Sequence, residues 1–202
     1  MKKLFTLLLG LAVWIPTSAQ LMQDVEQIGS FNEGLASIKK GDQWAFMDTK
    51  GTIVIDFRDD LVVTENKDGV PVAPEFHDGR ALISRLEDDI TYYGYIDTEG
   101  KEVIKTRYVN ATPFHNGFAI VMEFTKEVVG QNKLLGKDVV SYEVQEFVID
   151  PNDKAMTPLL HARNCVPEKM KSGKKPEMTT QFLSDRMVGV KLGDRNWEIY
   201  TY

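Results

Sequence analysis

Apolar residues in this chain fall in short runs, alternating or continuous, and no stretch sustains the 3.6-residue spacing of an amphipathic helix. The runs lie at 35–39, 44–47, 52–56, 81–85, 92–96, 102–105, 118–129, 139–149, 187–192 and 197–201, with turn-forming residues between most of them. This pattern predicts an all-β chain. Residues 57–74 read as a polar connection with weak strand content, and 161–180 as a long loop with room for a short helix.

The runs repeat. "FNEGLASI" at 31–38 matches "FHDGRALI" at 76–83 and "FHNGFAIV" at 114–121. Phe31, Gly34, Ala36 and Ile38 recur as Phe76, Gly79, Ala81 and Ile83, then as Phe114, Gly117, Ala119 and Val121. Each block leads to an aromatic-rich strand ending in Asp, namely "WAFMD", "YYGYID" and "EFVID", and then to the turns "DTKG", "DTEG" and "DPND".

The turn chemistry follows from the letters. Asp48, Asp97 and Asp150 stand where a carboxylate accepts the backbone N–H two residues on. Gly51 and Gly100 supply a positive φ at the fourth position, and Asp153 is one of the few non-glycine types that tolerates it. Gly34, Gly79 and Gly117 open the next strand through a second tight turn. The preceding Phe is expected to anchor that turn to the core, and the small Ala to leave room for an aromatic on the neighbouring strand. A single hairpin of this kind cannot bury its own faces, so copies must stack.

At these residues the chain resembles the WG-repeat proteins, whose units run F-x-E-G-L-A-x-V and then W-G-Y-I-D-x-x-G-K-x-V-I. The namesake pair is Trp44-Ala45 in the first copy and Tyr93-Gly94 in the second, and Glu146-Phe147 replaces it in the third. A worn fourth copy, "FLSDRMVGVKLGDRNWEIY", closes the chain at 182–200. The resemblance implies tandem antiparallel β-hairpin repeats stacked into a twisted, curved sheet, about three repeats with a degenerate C-terminal one. The expected repeats span about 31–75, 76–113, 114–160 and 182–202 of one domain, residues 20–202. The family brings an interaction role at most, and no activity.

Charge and the N-terminus narrow the setting. A formal charge of −6 argues against nucleic acid as a partner. "EKMKSGKKPE" at 168–177 is lysine-rich but also carries Glu, Gly and Pro, and reads as a solvated loop. "MKKLFTLLLGLAVWIPTSAQ" combines a basic start, a short apolar run and Thr17-Ser18-Ala19, the layout of a secretory signal peptide over residues 1–19. Its apolar run is shorter than the ~20 residues a membrane-spanning helix needs. The expectation is therefore an exported protein, periplasmic or secreted, with no transmembrane span after signal removal.

Little in the sequence carries chemistry. Cys165 is the single cysteine, so no intrachain disulfide can form, and no His or Asp beside it activates the thiol. Asp48, Asp97 and Asp150 invite a glycoside hydrolase reading, but their turn role explains them. "DFRDD" at 56–60 and "LEDDI" at 86–90 lack the spacing of a calcium loop. His77 and His115 share one turn position, and His161 lies far off, so no metal or cofactor is expected. Trp44, Tyr92, Tyr93, Tyr95, Phe147 and Trp197 lie on strands. If one face of these strands were open, its aromatics would suit a carbohydrate-binding module.

The third copy differs in one respect. It inserts "MEFTKEVVGQNKLLGKDVVSYEVQ", residues 122–145, where the others turn in a handful of residues. Two β-prone arms flank a Gly-bounded tip, which predicts a hairpin extended beyond the stacked body. Val128, Val129, Leu134, Leu135 and Tyr142 on it are the candidate partner-binding residues. The reading is a non-enzymatic binding or surface-assembly module for a protein or glycan partner. The leader generates the first prediction. Mass spectrometry of the mature protein is expected to find Gln20 at the N-terminus, and an intact Met1 terminus from the cytoplasm contradicts it.

Overall fold

Two kinds of turn, both requiring positive φ, set the architecture. The computed structural model describes residues 20–65, 72–171 and 174–202. The leader expected at 1–19 lies outside the described residues. Strand β1 (Gln27–Ile28) precedes β2 (Leu35–Lys40), β3 (Gln43–Asp48) and β4 (Ile53–Arg58), which form a four-stranded antiparallel sheet in that order. Next come β5 (Ala81–Glu87), β6 (Ile90–Ile96) and β7 (Glu102–Ala111), then β8 (Ala119–Asn132), β9 (Lys137–Ile149) and β10 (Ala155–Asn164). These six share one sheet because the end of β7 pairs with β8, Ala111 opposite Val121. Strands β11 (Thr180–Ser184), β12 (Met187–Leu192) and β13 (Asn196–Thr201) form the last sheet. One 3-10 turn, Pro167–Lys169, is the sole helical element among the described residues.

The repeated unit is thus a hairpin extended by a third strand: β2-β3-β4, β5-β6-β7 and β8-β9-β10. A short segment before each F-x-x-G block adds a fourth. It is β1 in the first unit, and in the second it is the stretch whose Val62 N–H donates to the Leu82 carbonyl at 3.0 Å. In the last unit this added strand is β11. The sequence pattern omits β1, β10 and β11. Strand β10 contains Pro158 and a polar end, and pairs with β9 through two register shifts, so its residues do not alternate.

The D-x-x-G turns form as the letters require. Asp48 Oδ1 accepts the N–H groups of Lys50 and Thr52, both at 2.9 Å. Asp97 does the same for Glu99 and Lys101 at 3.0 Å, and Asp150 for Asn152 and Lys154 at 2.8 and 2.9 Å. Gly51 and Gly100 have φ of +81°, and Asp153 has +64°. The F-x-x-G turns are tight two-residue reversals. Leu35, Arg80 and Phe118 each exchange backbone hydrogen bonds with Asn32, His77 and His115, and both central residues have positive φ, a type I′ geometry.

Burial places the core between units rather than within them. Trp44, Phe46 and Ile55 of the first unit meet Phe76, Ala81 and Ile83 of the second. Leu82, Tyr93 and Tyr95 meet Phe114, Ala119 and Val121. Ile120 and Val148 meet Val188 and Val190. Strand alternation does this directly, since Ala81 and Ile83 point back to the previous unit while Leu82 points to the next. The small Ala therefore makes room for an aromatic of the preceding unit, not of the neighbouring strand. Phe76 and Phe114 anchor their turns as expected. Phe31 does not, being 52% exposed; among the described residues no earlier unit packs on it.

The wear of the W-G pair has a local cause. Between Tyr93↔Tyr108 and Tyr95↔Ile104, β7 carries two extra residues opposite Gly94. A Cβ at Gly94 would lie 2.5 Å from the Ile104 carbonyl oxygen and 2.7 Å from the Thr106 nitrogen, so only glycine fits. In the first unit β4 carries one extra residue there, and Ala45 is accommodated. In the third, Phe147 pairs regularly with Pro158 and a large side chain is allowed.

The turn glycines yield the second prediction. Gly51→Val or Gly100→Val forces a β-branched residue to positive φ, and at Gly100 its Cβ would also sit 3.2 Å from Ile55 Cγ2. Each is expected to lower stability by at least ~1 kcal/mol in chemical denaturation. Lys101→Ala is expected to stay within about 0.5 kcal/mol of the parent. Equal stabilities would contradict the turn assignment.

Candidate functional site

The β8–β9 hairpin is continuous from Ala119↔Ile149 to Asn132↔Lys137. The neighbouring strands stop short of its end. β7 pairs with β8 only as far as Glu123, and β10 with β9 only as far as Glu143, after which the Cys165 N–H donates to the Tyr142 carbonyl at 2.8 Å. From Glu127↔Ser141 outward the ribbon therefore has two edges that no strand among the described residues pairs. Both faces are open as well, which is unusual for two strands alone.

The tip is built by Asn132. Its Oδ1 accepts the N–H groups of Leu134 and Leu135 at 3.0 and 3.1 Å, and its carbonyl accepts the Gly136 N–H at 2.8 Å. Gly136 closes the loop at φ +63°. This geometry leaves Leu134 96% and Leu135 69% exposed. Val128 and Val129 are exposed behind them, because a bulge between Val128 and Gly130 leaves Val129 without an opposite partner. Val139, opposite Gly130, is exposed too and extends the patch; it sits in the same "DVV" run but was not singled out in the sequence. Tyr142 does not belong to the patch. Its ring stacks on Phe124 at 5.9 Å with an interplanar angle of 2°, and Phe124 packs on the core around Met122 and Val144. Tyr142 is half-buried at the root of the arm.

The other candidate residues serve the stack. Each turn aspartate spends one carboxylate oxygen on two backbone N–H groups. Those bonds, from Thr52 and Lys154 first, hold the Asp48 and Asp150 carboxyls below the usual carboxylate range. Asp153 does more than turn the chain. Its carboxylate accepts the Tyr108 hydroxyl at 2.5 Å and Arg107 at 3.2 Å, tying the third unit's turn to the second unit. The equivalent Arg58 of the first unit donates to the Gly100 carbonyl at 2.9 Å. Burial first, then the Asp153 hydrogen bond, push the Tyr108 hydroxyl pKa well up.

Gly34, Gly79 and Gly117 mark a second series of inter-unit bonds, which the sequence did not reveal. The Glu33 carboxylate accepts the N–H groups of Asp78 and Gly79 at 2.6 and 2.8 Å. Asp78 in turn accepts the Gly117 N–H at 2.7 Å, and Asn116 donates to Asp185 at 2.5 Å. The residue before each turn glycine thus adopts positive φ and also reaches the next unit. Glu146, in place of the tryptophan, has a similar duty. Buried, it accepts from Arg163, from Thr179 and from the Thr180 N–H, and so fixes the start of β11.

Groups considered for chemistry do not converge. His77 lies 3.5 Å from Glu75, His115 packs on Phe182, and the side chain of His161 is outside the described residues. Among the described residues no three of His, Cys, Asp and Glu are placed to hold a metal ion. Burial, then the Glu143 charge, raise the Cys165 thiol pKa, which leaves it unactivated. An open cleft of about 840 Å³ is lined by Asp59, Asp60, Arg85, Asp89 and Lys171, with Asp60 held by Arg58 at 2.5 Å. Trp44, Tyr93 and Tyr95 are buried and Tyr92 and Phe147 half-buried, so they form no open aromatic strip; Trp197 alone of that set is exposed. No helix of the described residues is long and apolar enough to cross a membrane.

A family model described as WG containing repeat matches residues 25–44 and 93–123. No curated protein and no solved structure matches the chain. The first matched segment runs from before β1 through the Phe31 turn to Trp44, and the second from Tyr93 through the Phe114 turn into β8. Both fall on the units and turns described above, and over those segments the chain carries WG-type repeats.

Proposed function

We propose that the chain is an exported, non-enzymatic binding module that docks a protein partner through the β8–β9 arm. The observation that carries this reading is the arm itself, a ribbon with Val128, Val129, Leu134, Leu135 and Val139 in solvent and two unpaired backbone edges. Exposed apolar clusters of this kind mark interaction sites, and an open edge accepts a further strand through main-chain hydrogen bonds. The stack gives the arm a rigid root at Phe124 and Tyr142. A protein partner fits better than a glycan, because the aromatics a sugar platform needs are mostly turned into the inter-unit core.

Leu134→Asp combined with Leu135→Asp tests the reading. Both side chains are free of the core, so stability is expected to stay within about 0.5 kcal/mol of the parent. Cross-linking capture from the native cell envelope, compared quantitatively between the two forms, is expected to lose its principal partner. A marked drop in thermal stability, or undiminished capture, would contradict docking through the tip.

A further inference from the structure

The unit-to-unit interface has two halves, and the chain exposes one of each at its ends. The forward half is the face carried by Trp44 and Phe46 in the first unit and by Tyr93 and Tyr95 in the second. The backward half is the Phe of F-x-x-G, whose ring meets that face edge-on: Phe76 on Phe46 at 4.7 Å, Phe114 on Tyr95 at 4.9 Å.

In the last unit the register places Ile199 opposite Gly189 and Trp197 opposite Lys191. In the second unit Tyr95 lies opposite Leu82 and Tyr93 opposite Ser84. Val188 and Val190 face the third unit as Ala81 and Ile83 face the first, so Ile199 and Trp197 hold the forward positions of Tyr95 and Tyr93. They are 67% and 49% exposed. Leu183 and Met187 are exposed on the same sheet, with Leu183 against Gly189. At the other end Phe31, the backward residue of the first unit, is 52% exposed. Ala36 and Ile38 beside it are already buried, so the free element there is the Phe31 turn itself.

We infer that the last unit of one copy receives the Phe31 turn of a second copy, joining chains head to tail. The contact continues the three inter-unit interfaces already present in the chain. Phe31 takes on Ile199 and Trp197 the position that Phe76 takes on Phe46 and Trp44. The polar series continues in the same direction. Glu33 and Asp78 serve the N–H groups of Gly79 and Gly117, and the last unit offers Asp185 at the equivalent turn. Among the described residues no group accepts from the Gly34 N–H, which is the donor such a carboxylate meets in the next copy. The interface is heterologous, so it propagates to a ring or a filament rather than closing as a two-fold dimer. It does not use the arm.

Sedimentation velocity across a concentration series tests this on the purified protein. The parent is expected to rise above the mass of a dimer with concentration. Ile199→Asp and Phe31→Asp each remove one end and are expected to be monomeric alone. Mixed in equal amounts they are expected to form a one-to-one dimer, since each keeps the complementary end. Trp197→Glu serves as a second tail variant should Ile199→Asp melt early, and the Leu134→Asp, Leu135→Asp protein is expected to assemble like the parent. A parent that stays monomeric throughout overturns the inference. So does assembly that Phe31→Asp leaves intact, which would mean tail-to-tail pairing, or a mixture that forms no dimer.

Discussion

The edge-to-face contact between a turn phenylalanine and an aromatic of the preceding unit is the interaction on which this structure depends. A single three-stranded meander has two faces and cannot bury either alone. Phe76 on Phe46 and Phe114 on Tyr95 close successive units over each other. Each ring pair has the quadrupole-favoured geometry and lies in a buried layer that includes Ala and Ile. The neighbouring residues follow from that layer. Ala81 and Ala119 are small because an aromatic from the unit before occupies the space above them. The turn glycines sit where the chain must reverse within two residues to deliver the Phe.

Polar bonds then fix the register that the rings leave open. On one edge Glu33, Asp78 and Asn116 reach forward to the next F-x-x-G turn or its equivalent; on another Arg58 and Arg107 reach forward to the next D-x-x-G turn. These bonds are individually modest, yet a slip by one residue would lose every one of them and turn the apolar face outward. Stacked units of this kind leave one hairpin per unit free to lengthen at the opposite end. The third unit uses that freedom for its arm, whose apolar tip contributes nothing to the stack.

Much of this was legible in the letters. The D-x-x-G turns, down to Asp153 standing for glycine, followed from φ preferences that act within four residues. The arm followed from the length of a single gap. What failed to show depended on partners distant in sequence. Phe31 carries the same motif as Phe76 and Phe114, yet it is exposed because no aromatic face of another unit meets it among the described residues. Glu146 looks like decay of a Trp-Gly pair until Arg163, Thr179 and Thr180 are seen around its carboxylate. Gly94 is required by a bulge on β7 that its own strand does not encode. Tyr142 sits in the arm by sequence and belongs to its root by the ring of Phe124. Strand β10, interrupted by Pro158, forms because β9 offers it an edge and not because of its own pattern.

The interlock is measured most directly by a double-mutant cycle on Phe46 and Phe76, each replaced by Leu, singly and together, with stability read from denaturant unfolding. Neither ring carries a polar group, so the coupling reports the ring–ring contact across the unit boundary. The account predicts a favourable coupling of about 0.5–1.5 kcal/mol on top of the cost of each lost side chain. Strictly additive single changes, with no coupling between the two rings, would contradict it.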